Sequence, residues 1–214
     1  MLTKTLTLCT ITMALLFSVS IQAMAGASGE FIVGLGPIEL GDVVMKSNCD
    51  DEVCNYETHI KGSFMFIGAD IKEIGTYKQV DRQVIPVATQ YAEKIGSKKK
   101  AFTYDFLTRK IEDKKNKREI DIPENVYPFM PLINQVILDL RAGGPRKYYE
   151  FLSKHKIKRA NITAYTKTLT INGTLHHFLG KEKDDTLEFF FLEENGNIGL
   201  EKIAFGSFHM SRKQ

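Results

Sequence analysis

From Phe31 onward the chain repeats one pattern, an apolar residue at every second position followed by a turn. Neighbouring side chains on a strand point to opposite sides, so a period of two is the mark of a strand with one face in a core. Phe31, Val33 and Leu35 alternate up to the Gly36-Pro37 turn, and residues 38–45 follow as the second arm of a hairpin. Tyr56, Thr58 and Ile60 alternate again. Residues 71–80 and 84–94 are rich in β-branched and aromatic types and read as the next two strands. Phe102, Tyr104 and Phe106 fall on one face of another, with Ile111 opening its partner, a solvated turn at 114–117 and a short alternating run at 118–122. In the last third, strands are expected at 157–166 and 168–178, with a tight turn at Asn172-Gly173 interrupting the second. A closing hairpin is expected from 187–192 and 198–209 around Asn195-Gly196.

One segment departs from this period. Over residues 131–141 the apolar positions are Leu132, Ile133, Val136, Ile137 and Leu140, a helical spacing with one apolar face. Asn134, Gln135, Asp139 and Arg141 are expected to lie largely off that face. Pro131 suits a first helical turn, and Gly143-Gly144-Pro145 supplies a stop. Residues 146–155 fit either class, with Tyr148, Phe151, Leu152 and His155 at helical spacing and Tyr149, Phe151 and Ser153 at strand spacing. The fold expected is mainly β: a bent, half-barrel-like antiparallel sheet with one packed α-helix, preceded by a leader helix.

That leader is residues 1–25. Lys4 is the only charge before Glu30, residues 6–21 are apolar, and Ala23 and Ala25 place small side chains where a signal peptidase reads them, with Ala25-Gly26-Ala27 a second site. An uncleaved anchor is the competing reading, but the stretch is short for a span and carries no flanking basic cluster. Residues 26–214 then form a single β-rich domain. Losing Lys4 lowers the formal net charge from +3 to +2, which gives no ground for a nucleic-acid partner. No later apolar run is long enough to span a bilayer.

Two cysteines remain, Cys49 and Cys54, and an exported chain with two nearby cysteines usually pairs them. Closing so short a loop contributes about 2 kcal/mol in the chain-entropy model. A metal site there would need two more ligands, and only His59 is near in sequence.

Three stretches together resemble a family of exported bacterial proteins catalogued as domain of unknown function 3108. They are the opening hairpin from Phe31 to Gly41, the proline-entered helix from Ile122 through Pro123, Pro128 and Pro131 to Gly143, and the closing hairpin around Phe189 to Leu192 and Ile198 to Ile203. The resemblance implies a curved antiparallel sheet with a helix against it, similar in architecture to periplasmic lipoprotein carriers, and hence a periplasmic location. It favours a strand for Tyr149 to Ser153, and we adopt that reading. It implies no established activity and transfers no functional residue; the cysteine loop departs from it.

The chemistry-bearing residues do not assemble into a catalytic motif. There is no nucleophile elbow, zinc-protease histidine pair or phosphate loop, and Gly34-Leu35-Gly36 leads into Pro37 and a strand, which makes it a hairpin turn. His176 and His177 are strand neighbours that should face opposite ways, so no metal or cofactor is expected. The basic runs Lys98 to Lys100 and Lys114 to Arg118 read as solvated turns; the functional alternative is contact with anionic lipid headgroups, about 1 kcal/mol per charge. Phe189, Phe190, Phe191 and Leu192 put large apolar groups on both faces of one strand, so both faces need cover. If part of that cover is a guest, Phe129, Met130, Ile133 and Ile137 from the helix and Phe190 and Leu192 from the sheet are the candidate contacts. The expected function is a non-enzymatic periplasmic or envelope protein that binds an apolar ligand or lipid, its partner a lipid, a lipoprotein or another envelope component. The alternative is an envelope interaction or assembly protein with a filled core, and an enzyme of unknown type is the third reading.

Overall fold

In a computed structural model describing residues 27–64, 67–113, 115, 116, 118–183 and 185–213, fifteen strands form one sheet. The expected leader, residues 1–25, lies outside the described residues. Strands β1 (Gly29–Leu35), β2 (Ile38–Asp50), β3 (Val53–Phe64), β4 (Ile67–Val80), β5 (Gln83–Ile95), β6 (Lys98–Asp105), β7 (Lys110–Asp113) and β8 (Arg118–Asp121) form an antiparallel meander. After β9 (Val126–Tyr127) and helix α1 (Phe129–Arg141), the meander resumes with β10 (Tyr148–Ser153), β11 (Lys156–Thr170), β12 (Gly173–Glu182), β13 (Asp185–Glu194), β14 (Asn197–Phe205) and β15 (Phe208–Arg212). β15 pairs with β1, which places them side by side within the sheet. The strand order is therefore β8 to β1, then β15 down to β9. β9 joins β10 in parallel through Val126 and Tyr127.

The connectivity forces the sheet to roll. β8 and β9 are its opposite edges, yet only residues 122–125 separate them in sequence. Five residue steps reach at most about 18 Å, so the two edges must lie close in space. Side chains close the seam where no ladder does. Phe102, Tyr104 and Ile111 from one end pack with Ile122, Val126 and Leu152 from the other. The Tyr104 hydroxyl donates to the Lys154 carbonyl across the gap at 3.0 Å. Register shifts at Val33/Gly34, Thr76/Tyr77, Ile162/Ala164 and Phe190/Phe191 are bulges, which add local bend and twist. The two edges are only four and two residues long, which leaves little unpaired backbone for another chain to join.

The main core lies inside the roll, between α1 and the inward residues of most strands, among them Phe31, Val43, Met45, Tyr56, Tyr77, Phe178, Phe189, Phe191 and Leu200. Phe178 stacks on Phe189 at 4.7 Å and on Phe191 at 5.9 Å between ring centroids. The inward choice of Phe102, Tyr104, Leu187, Phe189 and Phe191 follows the expected alternation. Cys49 and Cys54 face each other across the β2–β3 ladder and form a disulfide.

Several expectations are corrected. The helix starts at Phe129, two residues before Pro131, because Pro128 at the N-cap and the missing N–H of Pro131 both suit the first turn. Asn134 and Gln135 are buried rather than off the packed face, since the rolled sheet and the β9–β10 edge surround the helix. The strand expected to end at Thr166 runs on to Thr170, so the turn falls at residues 171–172 and Gly173 opens β12. The final arm, read as one strand over 198–209, is two, because Gly206 takes φ +58° and turns the chain between Phe205 and Phe208. Phe106 lies past the end of β6, in the turn. Residues 148–153 are a strand, as the family-like register favoured.

Because Ile133 is fully buried in the enclosed helix, we expect Ile133→Ala to lower the unfolding free energy by about 2–5 kcal/mol in urea titrations. A loss below about 1 kcal/mol would place this helix face outside the core.

Candidate apolar binding site

The six residues singled out as ligand contacts do not converge. Met130, Ile133 and Ile137 are fully enclosed in the core, and Phe129 is half-buried at the start of the helix. Phe190 and Leu192 sit on the other side of the sheet, because Phe189 and Phe191 take the inward positions and neighbours on a strand alternate. Phe190 is covered there by the His177 ring, stacked at 4.3 Å, and by Lys202. A guest between helix and sheet at Ile133 and Ile137 would have to displace packed side chains.

Space exists instead where the inner face of β1 to β5 continues past the helix N-terminus. Inward positions on the β3–β4 ladder pair as Gly62 with Ala69, Ile60 with Ile71, and Thr58 with Glu73. Val33 on β1, Gly41 on β2 and Ile95 on β5 extend the same surface. The result is an open cleft of about 460 Å³, lined almost wholly by apolar atoms, with Ile60, Ile67, Ala69, Ile71 and Ile95 as its main walls. That volume is in the range of small-molecule sites. Gly41 and Gly62 are register partners on its floor. A Cβ on Gly41 would stand 2.0 Å from the Lys61 carbonyl oxygen, and one on Gly62 2.4 Å from that of Leu40, so the floor stays free of side chains. Ile67 is 54% exposed and Ile95 36% exposed, so apolar surface remains open to solvent at the mouth.

Deeper in, a second cavity of about 190 Å³ shares Ile60 and Ile71 with the cleft. It adds Thr58, Glu73, Tyr91, Tyr104, Phe129, Leu152 and Lys154. Glu73 has a structural reason to be there. α1 has neither a side-chain N-cap nor an acidic residue in its first turn. Pro131 has no amide proton, and Leu132 N–H already donates to the Pro128 carbonyl at 2.9 Å. The Phe129 and Met130 amides are therefore the unpaired donors of the first turn, and both favour the ionised Glu73 carboxyl, as does the Tyr56 hydroxyl. Burial opposes them and wins, pushing the Glu73 pKa up to about 7. Glu73 Oε1 has no hydrogen-bond partner, and neither has Thr58 Oγ1 opposite it.

The other polar groups at this depth are paired. Tyr56 O–H and Thr89 Oγ1 are 2.7 Å apart. Burial raises Glu93, but the Lys154 ammonium at 2.8 Å and the Tyr91 hydroxyl at 2.8 Å outweigh it and hold the carboxyl below its usual range. At the far end of the roll, Tyr165, His176 and Glu193 form a chain. The Tyr165 hydroxyl is 2.8 Å from His176 Nδ1, and His176 Nε2 is 3.0 Å from Glu193. His176 faces inward and His177 outward, as strand alternation requires, so the two cannot share a metal.

Sequence reasoning missed Thr58, Glu73 and the isoleucines of the cleft as site residues. The signal was present: Ile67, Ala69 and Ile71 alternate as one apolar face, and Glu73 interrupts it in register. No protein-family model, no curated protein and no solved structure matches this chain.

The raised Glu73 pKa makes stability depend on pH. Between about 4.5 and 7 the unfolded chain releases a proton that the folded one keeps, so this group lowers stability as pH rises through that window, by on the order of 3 kcal/mol in full. We expect Glu73→Gln to change stability little at pH 4 and to raise it relative to the parent at pH 8, read by urea unfolding at both values. An equal effect at the two values would contradict the assignment.

Proposed function

We propose that this is an exported, non-enzymatic binding protein of the bacterial envelope, which holds an apolar ligand, a single lipid chain foremost, in the cleft past the helix N-terminus. The observation that carries the reading is the open cleft of about 460 Å³, walled by isoleucines and floored by two side-chain-free glycines. An apolar surface left partly exposed is unfavourable in water, and a guest that covers it gains about 0.8 kcal/mol per CH₂ buried. The Cys49–Cys54 disulfide is compatible with an oxidising, exported compartment. The leader-like start of the sequence and the resemblance to domain of unknown function 3108 support a periplasmic location in particular. The partner is then the lipid itself, or a lipoprotein or other envelope component that presents one, with no nucleic acid.

A second reading, an envelope assembly protein with a filled core, draws on a different observation. The core around α1 is filled, and the β11–β12 hairpin leaves Leu169 and Ile171 84% and 102% exposed at its tip.

Titration with a fluorescent long-chain fatty-acid probe separates the two. The cleft reading expects saturable binding, lowered at least about tenfold by Ala69→Phe, which fills the cleft from a half-buried position and should leave stability within about 0.5 kcal/mol. Absence of saturable binding, or binding unchanged in the variant, would favour the assembly reading.

A further inference from the structure

The inner end of the cleft carries polar chemistry that the helix and sheet do not use. Among the described residues, three buried side-chain atoms lack a hydrogen-bond partner: Thr58 Oγ1, Glu73 Oε1 and His177 Nε2. The first two are opposite each other on the β3–β4 ladder and line the same cavity. Thr58 is 3% exposed and Glu73 9% exposed, so both are withdrawn from the outer surface. A buried polar group without a partner is unfavourable by about 1–3 kcal/mol, and two side by side in the wall of one cavity point to a group that belongs against them.

We propose, resting on the cleft reading above, that Thr58 and Glu73 bind the head of the guest, and that the guest is a single-chain amphiphile ending in a hydroxyl. The apolar chain lies along Ile67, Ala69, Ile71 and Ile60, and the head reaches Glu73. Six residue steps separate Ile67 from Glu73, about 20 Å along the strand. A hydroxyl completes both orphan groups at once: it accepts from the protonated Glu73 Oε1 and donates its own proton to Thr58 Oγ1.

Charge selects against other heads. The polar groups facing the cavity are Thr58 from β3, Glu73 from β4, Tyr91 from β5, Tyr104 from β6, Ser153 from β10 and Lys154 from the β10–β11 turn. Lys154 is engaged by Glu93, Tyr91 donates to Glu93 and Tyr104 donates to the Lys154 carbonyl. No cation among these groups is therefore left for a carboxylate head. An ammonium head would bring a charge into a space where Glu73 already keeps its proton up to about neutral pH.

The test displaces the fluorescent probe from the exported protein at pH 6 with 1-dodecanol, its methyl ether, laurate and dodecylammonium. The ether can accept from Glu73 but cannot donate to Thr58. We expect dodecanol to bind about tenfold more tightly than the ether, and more tightly than laurate or dodecylammonium. That advantage over the ether should vanish in Thr58→Val, while Glu73→Leu weakens alcohol and ether alike, and neither substitution should abolish probe binding. Equal binding of alcohol and ether, a tighter charged amphiphile, or an alcohol advantage that survives Thr58→Val would each overturn the head-group assignment and leave the cleft reading standing. If Glu73→Leu does not fold, the wild-type ranking and the Thr58→Val result decide the matter. Loss of all saturable probe binding by the parent protein would overturn both.

Discussion

Surrounding a helix with a sheet removes the solvent that would otherwise satisfy its polar groups, and the arrangement of this molecule follows from that constraint. Ten of the thirteen residues of α1 are buried. Each polar group on it must then meet a partner from a strand or be left unmet at a cost comparable to a lost hydrogen bond. Gln135 accepts from the Val84 amide at 2.8 Å and donates to the Arg82 carbonyl and to Asp139, and Asn134 donates to the Tyr77 hydroxyl at 3.0 Å. Asp139 binds Arg146 at 2.9 Å and accepts from Tyr149 at 3.0 Å. These bonds tie α1 to β4, to the start of β5 and to β10, which holds both halves of the sheet around one rod.

The N-terminus of the helix is where that pairing is least complete, and it is also where the cavity opens. Glu73 is placed to serve the Phe129 and Met130 amides, yet burial raises its pKa and Oε1 remains without a partner. The helix fills the roll from its first turn toward its C-terminus, so its interior has no room for a guest. Beyond Phe129 the inner face of β1 to β5 continues without a rod to cover it. The apolar cleft is the part of the concave surface that the helix is too short to reach.

Much of this was legible in the sequence. The alternation of Phe102 and Tyr104, and of Leu187, Phe189 and Phe191, gave the inward residues directly, because the period of two is a geometric property of the strand. The helix was visible in Leu132, Ile133, Val136, Ile137 and Leu140, and the disulfide in the spacing of Cys49 and Cys54. The site was not legible, for two reasons. Helical periodicity identifies an apolar face but does not tell how far a sheet will wrap, so Asn134 and Gln135 were read as outward. A strand pattern tells which residues share a face but not which stretch of that face the helix covers. Phe190 and Leu192 lie on the other side of the sheet for the same reason that Phe189 and Phe191 lie in the core: neighbours on β13 alternate.

The most direct test of where a guest sits is a methyl NMR titration of the protein labelled at its isoleucine δ1 methyls, with 1-dodecanol added to saturation. The account places the chain against Ile60, Ile67, Ile71 and Ile95, which line the cleft, and away from Ile133 and Ile137, which are buried in the packed helix. It predicts that the four cleft methyls shift together along one saturable curve while Ile133 and Ile137 stay near their free positions. Shifts centred on Ile133 and Ile137, or none at the four cleft methyls, would contradict it.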